Sequence, residues 1–206
     1  MFDVFKKKSK IRKFDGDTLV VATHNTGKLE EFRVMLDGKV QKLLSSGELD
    51  LPEPVEDGAT FLDNAKIKAL AGAKASGLPC LADDSGLCVD ALGGNPGIYS
   101  ARWGGQEKDF NKAMNLVNER MGDNPDRSAH FMAVLVLAWP DGHFEYAEGK
   151  VDGTIVWPPR GAHGHGYDPV FMPKGETRTY AEMTMGEKNA YSHRGRALKA
   201  LAEKVF

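Results

Sequence analysis

Short, wholly apolar runs alternate along this chain with stretches in which apolar residues return every three or four positions. The first run, Thr18 to Ala22 (TLVVA), predicts a buried strand. A polar turn, Thr23 to Lys28, leads out of it. Leu29, Phe32 and Leu36 then share one face of a helix that Gly38 stops. Val40 to Leu44 predicts a second strand, and Pro52, Pro54 and Gly58 predict a loop. Thr60 is placed to cap a helix over Phe61 to Ala75, with Phe61, Ala65, Ala69 and Ala73 on one side and Gly77 at its end. Leu81 enters another strand. Asp83-Asp84-Ser85-Gly86 reads as a turn, with Leu87-Cys88-Val89 returning.

Further on, Phe110, Met114, Val117 and Met121 form a helical stripe suited to core or dimer packing, ended by Gly122. Ala129 to Ala138 predicts a strong strand. Pro140-Asp141-Gly142 turns it into Phe144 to Val156, one or two more strands, which implies an antiparallel portion in the sheet. Val170-Phe171 is a short strand, and Thr179 to Glu182 has the form of a capping box. Ser192 caps a last helix with Ala197, Leu198 and Leu201 inward. Strands alternating with helices predict an α/β fold.

The bulk numbers fit one sizeable α/β domain or two small lobes: 206 residues, 41% hydrophobic and 27% charged. Residues 1–17 are basic with few apolar positions and predict a mobile extension before a single domain at 18–206. A formal net charge of −2 gives no bulk attraction to nucleic acid or membrane, and no apolar run approaches membrane-spanning length. The two cysteines, Cys80 and Cys88, lack zinc spacing and read as reduced thiols of a cytoplasmic protein.

Candidate chemistry gathers around Asp83 and Asp84. Adjacent carboxylates repel unless something positive sits beside them. They are either a solvated turn or part of a site for Mg²⁺, which favours one or two carboxylates plus substrate phosphates. The strand–loop–helix at 18–36 suits an anion, although Thr23 to Lys28 is not a Walker A sequence. Asn64 and Lys68, four apart, share a helix face; Lys68 is a phosphate ligand if that face meets the carboxylates. His163 and His165 lie in a Gly/His-rich loop without a third soft metal ligand nearby in sequence. His193 and Arg194 fall in the first turn of the last helix, where a cation is unfavourable unless an anion or electron-rich ligand is close.

Five ordered blocks, ATHNTGK, the Glu56 loop with FLDNAKIKA, LADDSGLCVDALGGNPGIYSAR, GHGYDPVF and EKNAYSHRGRAL, resemble the inosine triphosphate pyrophosphatase family and span nearly all of the chain after residue 18. The resemblance implies two α/β lobes around a long mixed β-sheet, with the active site in the cleft between them. It implies a Mg²⁺-dependent homodimer that converts ITP, dITP and XTP to the monophosphate and pyrophosphate. It places phosphate contacts on Thr23, His24, Asn25, Thr26, Gly27 and Lys28, and the catalytic carboxylate on Asp84, assisted by Lys28 and Lys68. It places a substrate contact on Ser85 and the metal on Glu56 and Asp84, with Asp57 an alternative to Glu56. Base contacts fall on His165, Gly166, Tyr167, Asp168, Lys188, His193 and Arg194. Where the family commonly has an aromatic residue, GFGYDP, this chain has His165, which stacks with less area and can hydrogen bond.

With those assignments Asp84 positions or deprotonates the attacking water, Asp83 is structural, and no nucleophile for a covalent intermediate is indicated. Donors on His193 and Arg194 would favour the 6-oxygen of hypoxanthine and xanthine over the amino group of adenine. The alternatives are a related pyrophosphatase acting on other modified nucleotides and an inactive nucleotide sensor.

Overall fold

The computed structural model describes residues 10–24 and 26–206; residues 1–9 of the basic extension and the expected phosphate contact Asn25 lie outside them. Six strands form one mixed sheet: β1 (Thr18–Val21), β2 (Lys42–Ser45), β3 (Cys80–Val89), β4 (Ser128–Ala138), β5 (Phe144–Ile155) and β6 (Phe171–Pro173), in the order β2-β1-β3-β4-β5-β6. β1 pairs parallel with β2 and β3, and the remaining pairs are antiparallel. The helices are α1 (Thr26–Met35), α2 (Phe61–Ser76), α3 (Phe110–Met121), α4 (Met185–Tyr191) and α5 (His193–Val205).

Alternation along the strands sorts the core. Leu19, Val21, Leu81, Leu135 and Leu137 pack under α1 and α5; Val20, Cys80, Ala82, Val134 and Val136 pack under the alanines of α2. A third cluster joins Leu87, Val89 and Phe131 to Met114, Val117 and Met121 of α3, and to Phe171 and Tyr180. The α3 stripe is therefore core. Each fully buried side chain of this kind contributes about 1.5–3 kcal/mol. The first two clusters make one lobe and the third makes the other, while β3, β4 and β5 run through both.

The expected turn at Asp83–Gly86 is corrected. β3 continues unbroken from Cys80 to Val89, paired at every residue with β4. The polar residues tolerate this because cations meet both carboxylates, as described below. Gly86 serves close approach instead of a turn, since a Cβ there would meet Gly97 O and Ser100 Oγ. Likewise 144–155 is a single strand, and Gly149 lets α5 lie directly on it. Thr60 caps α2 by accepting from Asp63 N–H, and Gly77 closes it at φ 71°.

The described end of the extension lies against the first lobe. Phe14 N–H donates to Val205 O, its ring packs on Phe206, and Arg12 sits over the Trp139 ring. No helix among the described residues is long and apolar enough to cross a membrane.

Candidate active site

β1 pairs with β3 only at Cys80 and Leu81. Beyond them no strand among the described residues covers that edge of β3 until the chain returns at 95–100. There Ser100 Oγ accepts from Leu87 N–H and Asn95 O accepts from Val89 N–H. Within the uncovered stretch, Asp83 to Gly86 form the floor of a cleft of ≈ 570 Å³ between the lobes. Asp83, Asp84 and Ser85 line it. So do Thr23 and Lys28 from the loop and first turn after β1, Glu56 from the 51–58 loop and Lys68 from α2. His165 to Asp168, Lys188, His193 and Arg194 close the far side. Thr26 and Gly27, in the exposed first turn of α1, do not line it.

Strand alternation sends the two aspartates to opposite faces. Asp83 points toward α1 and α5. Lys28 Nζ donates to its two oxygens at 3.1 and 3.3 Å, and Arg194 donates to Oδ2 through Nε and Nη2, both at 3.1 Å. Burial alone would raise this carboxyl's pKa; the charges of Lys28 and Arg194 outweigh it and hold the group ionised, far below the usual carboxylate range. The expected structural role for Asp83 accords with this cage.

Asp84 points toward α2. Asn64 Nδ2 donates to its Oδ2 at 3.1 Å, and Asn64 Oδ1 accepts from Gly58 N–H at 2.9 Å, so a buried amide joins the aspartate to the 51–58 loop. Lys68 Nζ stands 3.7 Å from Asp84 Oδ1 and 3.1 Å from Glu56 Oε1. One cationic head faces both carboxylates. Burial nonetheless raises the Asp84 carboxyl to about 6, against which Lys68 and Asn64 work only in part. Asp57 is exposed and does not line the cleft, so of the two acids weighed as metal ligands, Glu56 and Asp57, Glu56 is the one brought toward Asp84.

Arg194 accounts for the cation in the first turn of α5. Its guanidinium is buried and spans Asp83, Ser85 Oγ and Glu31 of α1. Expected at the base, Arg194 lines the cleft beside His193, with its guanidinium engaged by these groups. Glu31 is the residue that motif matching missed. It follows Lys28 by three positions and so lies on the same face of α1.

His193 stacks on Phe131, with ring centroids 4.6 Å apart and planes at 8°. Burial and the charges of Arg194 and Lys188 depress its pKa well below the ordinary value, so the ring is neutral. Among the described residues no group meets its Nδ1. The first-turn N–H groups of His193 and Arg194 also have no carbonyl within the helix to reach; Ser192 Oγ takes Gly195 N–H. Asp168 accepts from Lys188 Nζ at 2.6 Å and from His165 N–H at 2.9 Å, fixing the wall opposite. The Tyr167 hydroxyl donates to Ser100 O at 2.8 Å, so this residue ties the loop to the floor.

Residues 19–204 match the model of the Ham1 family. This chain belongs to the Ham1 family. A Ham1 relative, the dITP/XTP pyrophosphatase of Gluconobacter oxydans, is 60% identical over 185 residues, 90% of this chain and 89% of that protein. The dITP/XTP pyrophosphatase of Rhodospirillum centenum is 54% identical over 198 residues, 95% and 98% of the two chains. Among solved structures, the Staphylococcus aureus Ham1 protein superposes with a TM-score of 0.82 at 34% identity, over 90% of this chain and 96% of that one. The Mycobacterium abscessus nucleoside-triphosphatase, a dITP/XTP pyrophosphatase, gives 0.73 at 45% identity, over 89% and 98%. The Ham1 fold and the mixed sheet expected from sequence agree.

Proposed function

We propose that this Ham1 protein hydrolyses the α–β phosphoanhydride of the non-standard purine nucleoside triphosphates ITP, dITP and XTP, releasing pyrophosphate and the monophosphate. The observation that carries this is the single point faced by both Glu56 and Asp84. Lys68 holds its ammonium there, between two carboxylates from different segments. Two hard oxygen donors beside an open cleft fit Mg²⁺, which takes its remaining ligands from water and phosphate. The described residues contain no cluster of three or more His, Cys, Asp or Glu that would form a closed metal cage. When bound, Mg²⁺ would neutralise phosphate charge and polarise the phosphoryl oxygens.

The chain's own residues supply the rest. Asp84, with its carboxyl raised to about 6, is a carboxylate at neutral pH and basic enough to take a proton from the attacking water. Lys68 and Lys28 meet the developing charge on the phosphates from opposite sides of β3. Asp83 keeps Lys28 and Arg194 in place and stays out of the chemistry.

The base faces the neutral His193 ring and the first-turn N–H groups of His193 and Arg194 in α5, which have no backbone acceptor among the described residues. A 6-oxygen accepts from such donors, whereas the 6-amino group of adenine meets donor with donor. Each unmatched buried donor costs about 1–3 kcal/mol. A homodimer in the cytoplasm belongs to the same proposal. Pyrophosphate release is to be measured on ITP, dITP, XTP, GTP and ATP with and without Mg²⁺. Release requiring Mg²⁺ and fastest with ITP and XTP is expected; equal rates with ATP would overturn the assignment.

A further inference from the structure

His24, an expected substrate contact, lines the cleft, and both of its ring nitrogens also meet acceptors in another part of the chain. Nε2 lies 3.0 Å from Leu51 O, and Nδ1 lies 3.0 Å from Glu53 Oε1. A backbone carbonyl and a carboxylate are both acceptors, so a neutral ring, with one N–H, donates to one of them at a time and the protonated ring donates to both. The ring also packs over Gly47, where a Cβ would stand 3.6 Å from its Cδ2. These contacts tie the loop after β1 to the start of the 51–58 segment, which has no regular secondary structure.

That segment carries Glu56. Its later part is held by other contacts: Arg102 Nη2 donates to Glu56 O at 2.5 Å, Lys68 pairs with the Glu56 carboxylate, and Asn64 receives Gly58 N–H. Its beginning is held by Leu51 N–H, which donates to Ser46 O at 2.9 Å, and is joined to the phosphate loop by His24. Beneath it lies a small cavity of ≈ 30 Å³, lined by His24, Glu53, Glu56 and Lys68 among others, about the volume of one water. A segment with little packing beneath it takes its position from its tethers.

We infer that His24 and Glu53 form a strap that sets where Glu56 stands relative to the phosphate loop, which makes His24 a positioning residue of the site. The inference rests on the proposed role of Glu56 in holding the metal. Glu53 stands at the edge of the cleft, paired with His24, and its side chain is 66% exposed, so its removal leaves the fold intact. Truncating it frees the strap while Glu56, Asp84 and Lys68 remain.

The test uses the full chain carrying Glu53→Ala, His24→Ala, or both. Two quantities are read: hydrogen exchange of the Leu51 and Gly58 amides, which are hydrogen-bonded to Ser46 O and Asn64 Oδ1, in metal-free protein, and the Mg²⁺ concentration for half-maximal pyrophosphate release. For Glu53→Ala, exchange of the Leu51 amide is expected to quicken more than that of Gly58, and half-saturation to rise about three- to tenfold, the scale of one part-exposed hydrogen bond to a carboxylate, with kcat at saturating Mg²⁺ retained. The double variant is expected to exchange no faster than His24→Ala alone, because both changes release one strap. Wild-type exchange in Glu53→Ala, or additive effects in the double variant, overturns the inference. Should the wild-type enzyme turn over without a divalent cation, the metal role of Glu56 fails. The exchange data, which need no metal, then decide the strap by themselves.

Discussion

Asp83 and Asp84 are consecutive residues whose carboxylates leave β3 on opposite faces, one toward Lys28 and Arg194 and the other toward Asn64 and Lys68. Their electrostatic situations are opposed: the first is stabilised as an anion, the second destabilised by burial.

Their asparagine variants should therefore diverge. With its folded-state pKa raised, Asp84 binds more protons folded than unfolded between the ordinary 3.8 and about 6. Stability is lost as pH rises through that window, on the order of 3 kcal/mol above it. Asp84→Asn is expected to raise the melting temperature of metal-free protein at pH 8 while abolishing pyrophosphate release. Asp83, with its pKa depressed, contributes stability that is fully present above the unfolded value and lost only as pH falls through the folded one. Asp83→Asn should lower the melting temperature at pH 8. Thermal melts of both variants with EDTA check the contrast.

The same carboxyl shapes the rate. A base raised to about 6 is protonated below that pH, so kcat/KM should fall on the acid side. A divalent cation on the carboxylate favours its ionised form, so raising Mg²⁺ should move the acid limb to lower pH. Profiles at low and saturating Mg²⁺ check this; limbs that coincide would show that Asp84 does not bind the metal.

Lys68 stands between Glu56 and Asp84. Lys68→Met leaves two carboxylates facing one another and should lower the melting temperature in EDTA by about 2–4 °C, the equivalent of roughly 1 kcal/mol in a chain of this size. Mg²⁺ should raise the melting temperature of this variant more than that of the wild type. Differential scanning calorimetry with and without Mg²⁺ reads both effects.

Glu31 and Arg194 are buried, at 5% and 4% exposure. Glu31→Ala removes one partner of a buried pair and should cost about 3–5 kcal/mol in urea unfolding. Glu31→Gln, which still accepts a hydrogen bond, should cost less. Loss of ITP turnover beyond what unfolding explains would show that the guanidinium's orientation matters to the site.

Periodicity located α2, α3 and α5 because each presents one apolar face, and β4 stood out as an unbroken apolar run buried on both faces. It missed the continuity of β3, because Asp-Asp-Ser-Gly is turn chemistry locally. Lys28 and Arg194, the side chains that neutralise Asp83, come from 55 and 111 residues away in sequence. The motif blocks placed Asp84, Lys68 and Lys188 in the cleft. They could not show which way Arg194 turns or where the His24 ring goes, since both are decided by acceptors in segments without a motif: Glu31 on α1, and Leu51 and Glu53 in the loop.

β3, β4 and β5 run unbroken through both lobes, so no linker joins the two halves on which they could swing. Widening the cleft by moving lobes would bend a hydrogen-bonded ladder, and the sheet resists as a leaf spring does. The mouth is instead bounded by pieces of chain outside that ladder, the 51–58 segment and the turn at 161–168. Entry of a triphosphate and departure of its products are thus expected to proceed by small excursions of these rims over a stiff floor, leaving Asp84 at the same depth in every turnover.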